Sequence, residues 1–511
     1  MHSKLEWGSL ILVVICGALV LFRTSYDASS LEVVPDSVEY AFGALNLASG
    51  EGYHIQVGGR DLPPRYPPWF SAALVPAYWL FGSDPGNGVY LVFGFSLIGL
   101  IAAFELGRRM TGIWGGAGAG MVLLAATDYH YWGRQIMTDV PCTACILTLL
   151  WIWMVLQKQR LRRLWVLAGI ILALGTAFRP TTFAFVLPFI FTWVRRPPRR
   201  PIDLILLLTP LAILLGFSVG FNLMTFESFV RSGYNFWCAI PYDYPDLVYS
   251  LQHVLNNIQQ VRDSNLIWLS LAVLALWALR RKQENATFRL AIIYAFLGGL
   301  PFLLFYLVYF YPDARFYLPL AALMAVACGG LLGAAGRRFP AWLLIAIQAG
   351  LVFFAYWMTG HVRPRPDYSR REMADAIVRE LPLSAAVITA IDPVYLENFP
   401  GMGKRQIIPV SRRVEYASKV LTRMKIPEQC VKPQGWWDHR CQGLLAGGAE
   451  EAIPWVAMDE PGRITDLLAS GRPVLIDKSS VSGACAAEIA RLADADIAAA
   501  PVAGFWNMAS K

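Results

Sequence analysis

The chain has 511 residues, of which 56% are hydrophobic and 16% charged, and its mean hydropathy is +0.45. Soluble domains carry about 25% charged residues and less apolar surface, so the composition excludes an ordinary soluble enzyme and marks a polytopic membrane protein. The net charge of +8 is no argument for nucleic acid, because Lys and Arg gather in cytoplasmic loops, and no nucleic-acid partner is expected.

Taken in order, the apolar runs 8–22, 89–104, 140–156 and 202–221 approach the ~20 residues a helix needs to cross a bilayer. The first follows Lys4 and lacks a small-residue cleavage site behind it, so it is read as an uncleaved span. Cationic clusters at Arg108-Arg109, Lys158 to Arg163, Arg195 to Arg200, Arg280 to Lys282 and Arg337-Arg338 are placed in the cytoplasm with Lys4. An even number of crossings between clusters then puts loops 23–66, 128–139, 223–263 and 311–315, and a turn at Arg179-Pro180, on the opposite face. The apolar piece 68–82 would break that parity if it spanned. It is short and interrupted by Pro76, so an interfacial or re-entrant helix is expected.

This gives a polytopic α-helical protein of about eleven spans over residues 1–360, with its first extracytoplasmic loop at 23–82. The N-terminus is expected in the cytoplasm of a cell with this protein in its inner (plasma) membrane. Residues 361–511 are expected to form a small extracytoplasmic α/β domain, with helices over 368–381 and 486–493 and buried strands over 386–390 and 474–476. Cys430 and Cys441 lie close together in this far-side segment, where a disulfide is expected. Cys142 and Cys145, by contrast, sit in an apolar run and read as small core residues.

Ionisable groups left at membrane ends on the far side form a short set. Asp36, Glu39 and Arg65 belong to the first loop; Asp128, His130, Arg134 and Asp139 to the second; Arg179, Asp313 and Arg315 to later turns. Arginine forks suit phosphate oxygens, and a carboxylate can take a proton from an acceptor hydroxyl or amine. Asp36 after Pro35, and Asp139 before Val140-Pro141, also stand where helix N-caps are expected. Arg23 and Arg262 read as snorkelling side chains, and His130, without a second histidine at ligand spacing, as an interfacial one.

The ordered motifs Pro35-Asp36 with Glu39-Tyr40, Ser49-Gly50-Glu51-Gly52-Tyr53, Tyr66-Pro67-Pro68-Trp69, Gly133-Arg134 with Thr138-Asp139-Val140-Pro141, Phe178-Arg179-Pro180 and Ala314-Arg315-Phe316-Tyr317 resemble the GT-C glycosyltransferases. The similarity is to the group containing protein O-mannosyltransferases, aminoarabinose-lipid A transferases and lipopolysaccharide galacturonosyltransferase-like proteins. It implies an inverting transferase that uses a polyprenyl-phosphate sugar donor and a lipid or glycan acceptor. By position it implies Asp36 as the acceptor-activating base, Asp139 and Glu39 as further acids, and Arg65, Arg134, Arg179 and Arg315 against the donor phosphate, with Asp128 and Asp313 as possible additions. Related families differ in metal dependence, so a divalent cation stays open. Many relatives have Asp-Glu adjacent, whereas Ser37 follows Asp36 here. Two readings compete: a flippase or transporter of lipid-linked sugars, which would favour charges at mid-span, and a non-catalytic envelope assembly factor.

Overall fold

The structure is a computed structural model that describes residues 4–22, 35–57, 60–159, 161–195, 200–229, 232–234, 248–278, 286–335, 340–361, 368–389, 391, 393–409, 461–500 and 502–510. Cys430 and Cys441, with the disulfide expected between them, lie outside the described residues.

The chain opens with helices α1 (Lys4–Leu21) and α2 (Pro35–Ser49), the strands β1 (Ile55–Val57) and β2 (Arg60–Leu62), and helix α3 (Pro68–Phe81). There follow α4 (Val89–Thr111), α5 (Ile113–Ala125), the short α6 (Thr127–Trp132), α7 (Asp139–Leu156), α8 (Arg162–Phe178), α9 (Leu187–Arg195) and α10 (Pro201–Phe226). Next come α11 (Val254–Asp263), α12 (Asn265–Ala278), α13 (Ala286–Tyr294), α14 (Leu300–Leu307), α15 (Leu318–Ala335) and α16 (Ala341–His361). A π-helical turn, Ala295–Gly299, joins α13 to α14.

Among the described residues seven helical segments are long and apolar enough to cross a membrane. They are Lys4–Leu21, Pro85–Thr111, Asp139–Leu156, Pro201–Phe226, Arg289–Leu307, Ala314–Ala334 and Ala341–Met358. The expected eleven is reached only by adding the shorter α5, α8, segment 180–195 and α12. Instead of a tight turn at Arg179-Pro180, Arg179 is extended and a 3-10 helix, Pro180–Val186, follows it. Pro180 fixes the backbone angle that starts such a turn and has no N–H to leave unpaired.

Internal packing divides the chain into two compact units. The first comprises segments 1–27, 88–224 and 249–364. Its centre is α7, whose sequence DVPCTACILTLLWIWMVL is apolar on every side and is buried almost throughout, as such a helix must be. It packs against α4, α8 and α15. Cys142 and Cys145 are buried, free and part of this packing. Helices α5 and α15 approach through small residues: a Cβ built on Gly118 would stand 3.0 Å from the Gly329 carbonyl oxygen. The outer helices α10 and α16 instead expose Ile213, Phe217, Trp342 and Phe353, side chains suited to lipid.

The second unit comprises 28–87, 225–248 and 365–511. Here α2 and α3 pack through the Tyr40 and Phe70 rings, 4.9 Å apart, and the Ser71 hydroxyl donates to the Tyr40 carbonyl at 3.0 Å. Helix α3 covers the 68–82 piece and has 14 residues; it is not among the helices long enough to span. The remaining elements are α17 (Tyr368–Glu380), β3 (Ala386–Thr389), α18 (Pro393–Glu397), β4 (Gln406–Pro409), α19 (Pro461–Ala469), β5 (Val474–Asp477), α20 (Gly483–Leu492), β6 (Ala495–Ala499) and β7 (Phe505–Ser510). Five strands form one sheet in the order β4-β3-β5-β7-β6, the first three parallel and the last two antiparallel to their neighbours. Ile388, Ile408, Ile476, Ile489 and Met508 form its core.

Candidate active site

The first-loop residues meet in the second unit. Pro35 begins α2, so Asp36 stands inside the first helical turn instead of capping it, consistent with proline's preference for the first helical position. One turn on, Glu39 is buried and its carboxylate receives Arg65 three times: from the backbone N–H at 2.7 Å, from Nε at 3.1 Å and from Nη2 at 2.6 Å. Asp36 Oδ1 lies 3.5 Å from the same Nη2, with its side chain about twice as exposed as that of Glu39, at 21% against 10%. Burial pushes the Glu39 carboxyl above its ordinary value, with Arg65 pulling the other way. Aromatic rings frame the pair: Arg65 lies 5.0 Å from the Tyr66 ring centre, and Tyr66 stacks with Tyr40 at 4.4 Å and meets Tyr234 edge-on at 5.5 Å. The Tyr53 hydroxyl donates to the Tyr66 carbonyl at 2.9 Å and fixes the approach to the proline pair. Gly233 has no room for a side chain, because a Cβ there would collide with the Pro64 carbonyl.

The later acids and arginines meet in the first unit. Thr138 is the N-cap of α7 and Asp139 its first residue, one step from the expected cap. Asp139 is 1% exposed; its Oδ1 accepts from Arg179 Nη2 at 2.5 Å, and its Oδ2 is buried with no hydrogen-bond partner among the described residues. Arg179 also donates from Nε to Thr138 Oγ1 at 3.3 Å and from Nη1 to the Tyr306 hydroxyl at 3.2 Å. Burial works against its charge, but Asp139 outweighs that and raises the guanidinium above its ordinary pKa. Two cations face the Phe316 ring, Arg179 at 5.0 Å and Arg315 at 5.4 Å. Arg315 also faces the Trp132 ring at 5.5 Å and Asp313 Oδ2 at 3.1 Å, while Asp313 Oδ1 caps the 3-10 turn Ala314–Tyr317.

Asp128 does different work. Its Oδ2 accepts the Asn265 backbone N–H at 3.2 Å, which satisfies the start of α12. Burial raises the carboxyls of both Asp128 and Asp313. Arg134 is buried and donates to the His130 carbonyl at 3.1 Å. His130 is wholly buried, not interfacial; burial and then Arg134 push its pKa down to about 4. Among the described residues no group of three or more His, Cys, Asp or Glu side chains is arranged to hold a metal ion.

The motif residues therefore form two clusters: Asp36, Glu39 and Arg65 in one unit, and Asp139, Arg179, Asp313 and Arg315 in the other. Thr138 and Phe316, which stand in the ordered motifs, complete the second cluster together with Tyr306, which stands outside them. The aromatic run from Phe302 to Tyr317 is the signal in sequence for Tyr306.

One unit is a bundle of helices that includes the body of each of the seven segments long and apolar enough to cross a membrane, and the other carries a small α/β sheet. Residues 65–221, under a third of the chain, match the family described as dolichyl-phosphate-mannose-protein mannosyltransferase. The structure is similar to that of ArnT from Cupriavidus metallidurans bound to undecaprenyl phosphate, with a TM-score of 0.60 and 14% identity over 99% of this chain and 98% of that one. The apo form of the same protein gives the same values. The Archaeoglobus fulgidus oligosaccharyltransferase tethered with an acceptor peptide gives a TM-score of 0.48 at 11% identity, over 83% of this chain and 68% of the other. No curated protein matches the sequence. The chain thus shares the fold of the Cupriavidus metallidurans ArnT structure over nearly its whole length.

Proposed function

We propose that this protein is an inverting glycosyltransferase that moves a sugar from a polyprenyl-phosphate donor to a lipid or glycan acceptor on the extracytoplasmic side of the inner membrane. The observation that carries the reading is the division of labour in the first-loop cluster. Glu39 anchors Arg65 through both oxygens, while Asp36, more exposed and one helical turn away, lies beside the same guanidinium. A base needs access to its substrate and a fixed place; Asp36 has both. The likeness to a protein crystallised with undecaprenyl phosphate, over nearly the whole of each chain, supports a lipid-phosphate donor.

In this mechanism an acceptor hydroxyl or amine attacks the anomeric carbon from the face opposite the phosphate. Asp36 takes its proton, the bond from the anomeric carbon to the phosphate oxygen breaks, and polyprenyl phosphate leaves with the electron pair. The anomeric configuration inverts. Arg134, Arg179, Arg315 and Arg65 supply fixed positive charge against the phosphate, a preorganised electrostatic contribution that costs no rearrangement during reaction. Asp139 holds Arg179 in place for that task.

The test is transfer in membranes supplied with a polyprenyl-phosphate sugar, with lipids and surface glycans of cells with and without the protein compared by mass spectrometry. Asp36→Asn should lower transfer by at least about 100-fold, within the range for loss of a general base, at unchanged expression. Full activity in that variant, or vectorial uptake of lipid-linked sugar by proteoliposomes lacking any acceptor, would overturn the proposal.

A further inference from the structure

Three separate parts of the first loop are gripped by one small surface of the segment after residue 365, all within the second unit. On α2, Phe42 is buried and meets the Tyr395 ring of α18 at 6.1 Å. On β1, the Asn398 side chain pairs with the Gln56 backbone in both directions. Its Oδ1 accepts the Gln56 N–H at 2.8 Å and its Nδ2 donates to the Gln56 carbonyl at 2.9 Å. The amide thereby takes the place a neighbouring strand would have at that edge. The same Nδ2 donates to the Val394 carbonyl at 2.7 Å, which fixes the amide against α18. Beyond α3, Asp84 Oδ2 receives Arg371 Nη2 of α17 at 2.5 Å, while Asp84 Oδ1 accepts the Gly86 N–H at 2.9 Å. Arg371 lies 5.9 Å from the Phe399 ring and so ties the two ends of this surface together.

Among the described residues of the loop the regular sheet is the three-residue pair β1–β2, and an isolated two-stranded hairpin is marginal in water. Helix α2, which carries Asp36 and Glu39, runs directly towards that hairpin. We infer that α17 and α18 act as a clamp in cis, with Asn398, Arg371 and Tyr395 as positioning residues that hold the first loop, and so Asp36, in its reactive placement. The inference rests on the function proposed above. Misplacing a reacting group by about 1 Å can cost about 100-fold in rate, so the clamp bears on turnover more than on donor binding.

The experiment uses the full-length protein in detergent and in membranes. Asn398→Ala and Arg371→Asp are compared with wild type, and Asp84→Arg is combined with Arg371→Asp as a charge exchange. Hydrogen exchange over 35–57 and 60–87 is measured alongside transfer. The clamp requires faster exchange there in each single variant, a fall in kcat of about tenfold or more with KM for the lipid donor little changed, and recovery of both in the exchanged pair. Unchanged exchange in both Asn398→Ala and Arg371→Asp overturns it. Faster exchange with undiminished transfer overturns the positioning role. Absence of transfer from wild type would instead remove the proposed function, and the exchange data would still decide whether the clamp exists.

Discussion

Arg65 donates to Glu39 from its backbone N–H, its Nε and its Nη2, and that last nitrogen stands 3.5 Å from Asp36 Oδ1. The glutamate displaced from the Asp-Glu pairing of many relatives therefore has a definite task. It holds the cation that lies against the proposed base. A spacing of three residues puts the acids one helical turn apart on the same side of α2.

Glu39→Gln should remove the nearer of the two carboxylates at Arg65, leaving Asp36 at 3.5 Å, while preserving shape. Breaking a buried pair from one side costs about 3–5 kcal/mol, so a loss of transfer and a lower melting temperature are expected together. Arg65→Lys should not restore function, because a lysine cannot give the Nε and Nη2 pair. Wild-type transfer in Glu39→Gln would show that the anchoring is dispensable.

The Asp139–Arg179 pair is expected to be still less tolerant. Arg179→Lys would abandon contacts to Thr138 and Tyr306 as well as Asp139. Asp139→Asn would leave a buried guanidinium uncompensated. Each should lower stability by about 3–5 kcal/mol, read as a fall in thermal unfolding temperature in detergent. An unchanged melting profile in both would contradict the buried geometry.

Acid stability should carry a signature from His130. Its pKa is depressed from 6.5 to about 4 by burial and then by Arg134, so its stabilising contribution is fully present above pH 6.5 and is lost as pH falls towards 4. That interval corresponds to about 3 kcal/mol once the ring is protonated. The raised carboxyls of Glu39, Asp128 and Asp313 act in the opposite sense, since their contribution is lost as pH rises. The effect is therefore read as the difference between wild type and His130→Phe across pH 4 to 7. A difference that stays constant with pH would refute the assignment.

Packing between α5 and α15 offers a control away from the ionisable clusters. Gly118→Leu would force a side chain against the Gly329 carbonyl, which a Cβ alone would approach to 3.0 Å. Overpacking of this kind costs about 1–3 kcal/mol. Less folded protein, with unaltered specific transfer in what folds, is the expected outcome by size-exclusion and activity measurement.

The α/β segment shows where sequence reading succeeds and stops. Helix 368–381 and strand 474–476 appear as α17 and β5 within a residue at their ends, because amphipathic spacing and an unbroken apolar run are local signals. Strand β6, reading ADIAA, has alanines that favour a helix, and only its pairing with β7 makes it a strand.

For the first loop the same division holds. Composition alone determined the membrane class, and the order of motifs determined the GT-C resemblance, because hydropathy and residue type are properties of the chain itself. Which acid pairs with which arginine was decided only by the tertiary structure. Glu39 meets Arg65 across 26 residues and Asp139 meets Arg179 across 40, and such contacts depend on helix packing that no local pattern encodes.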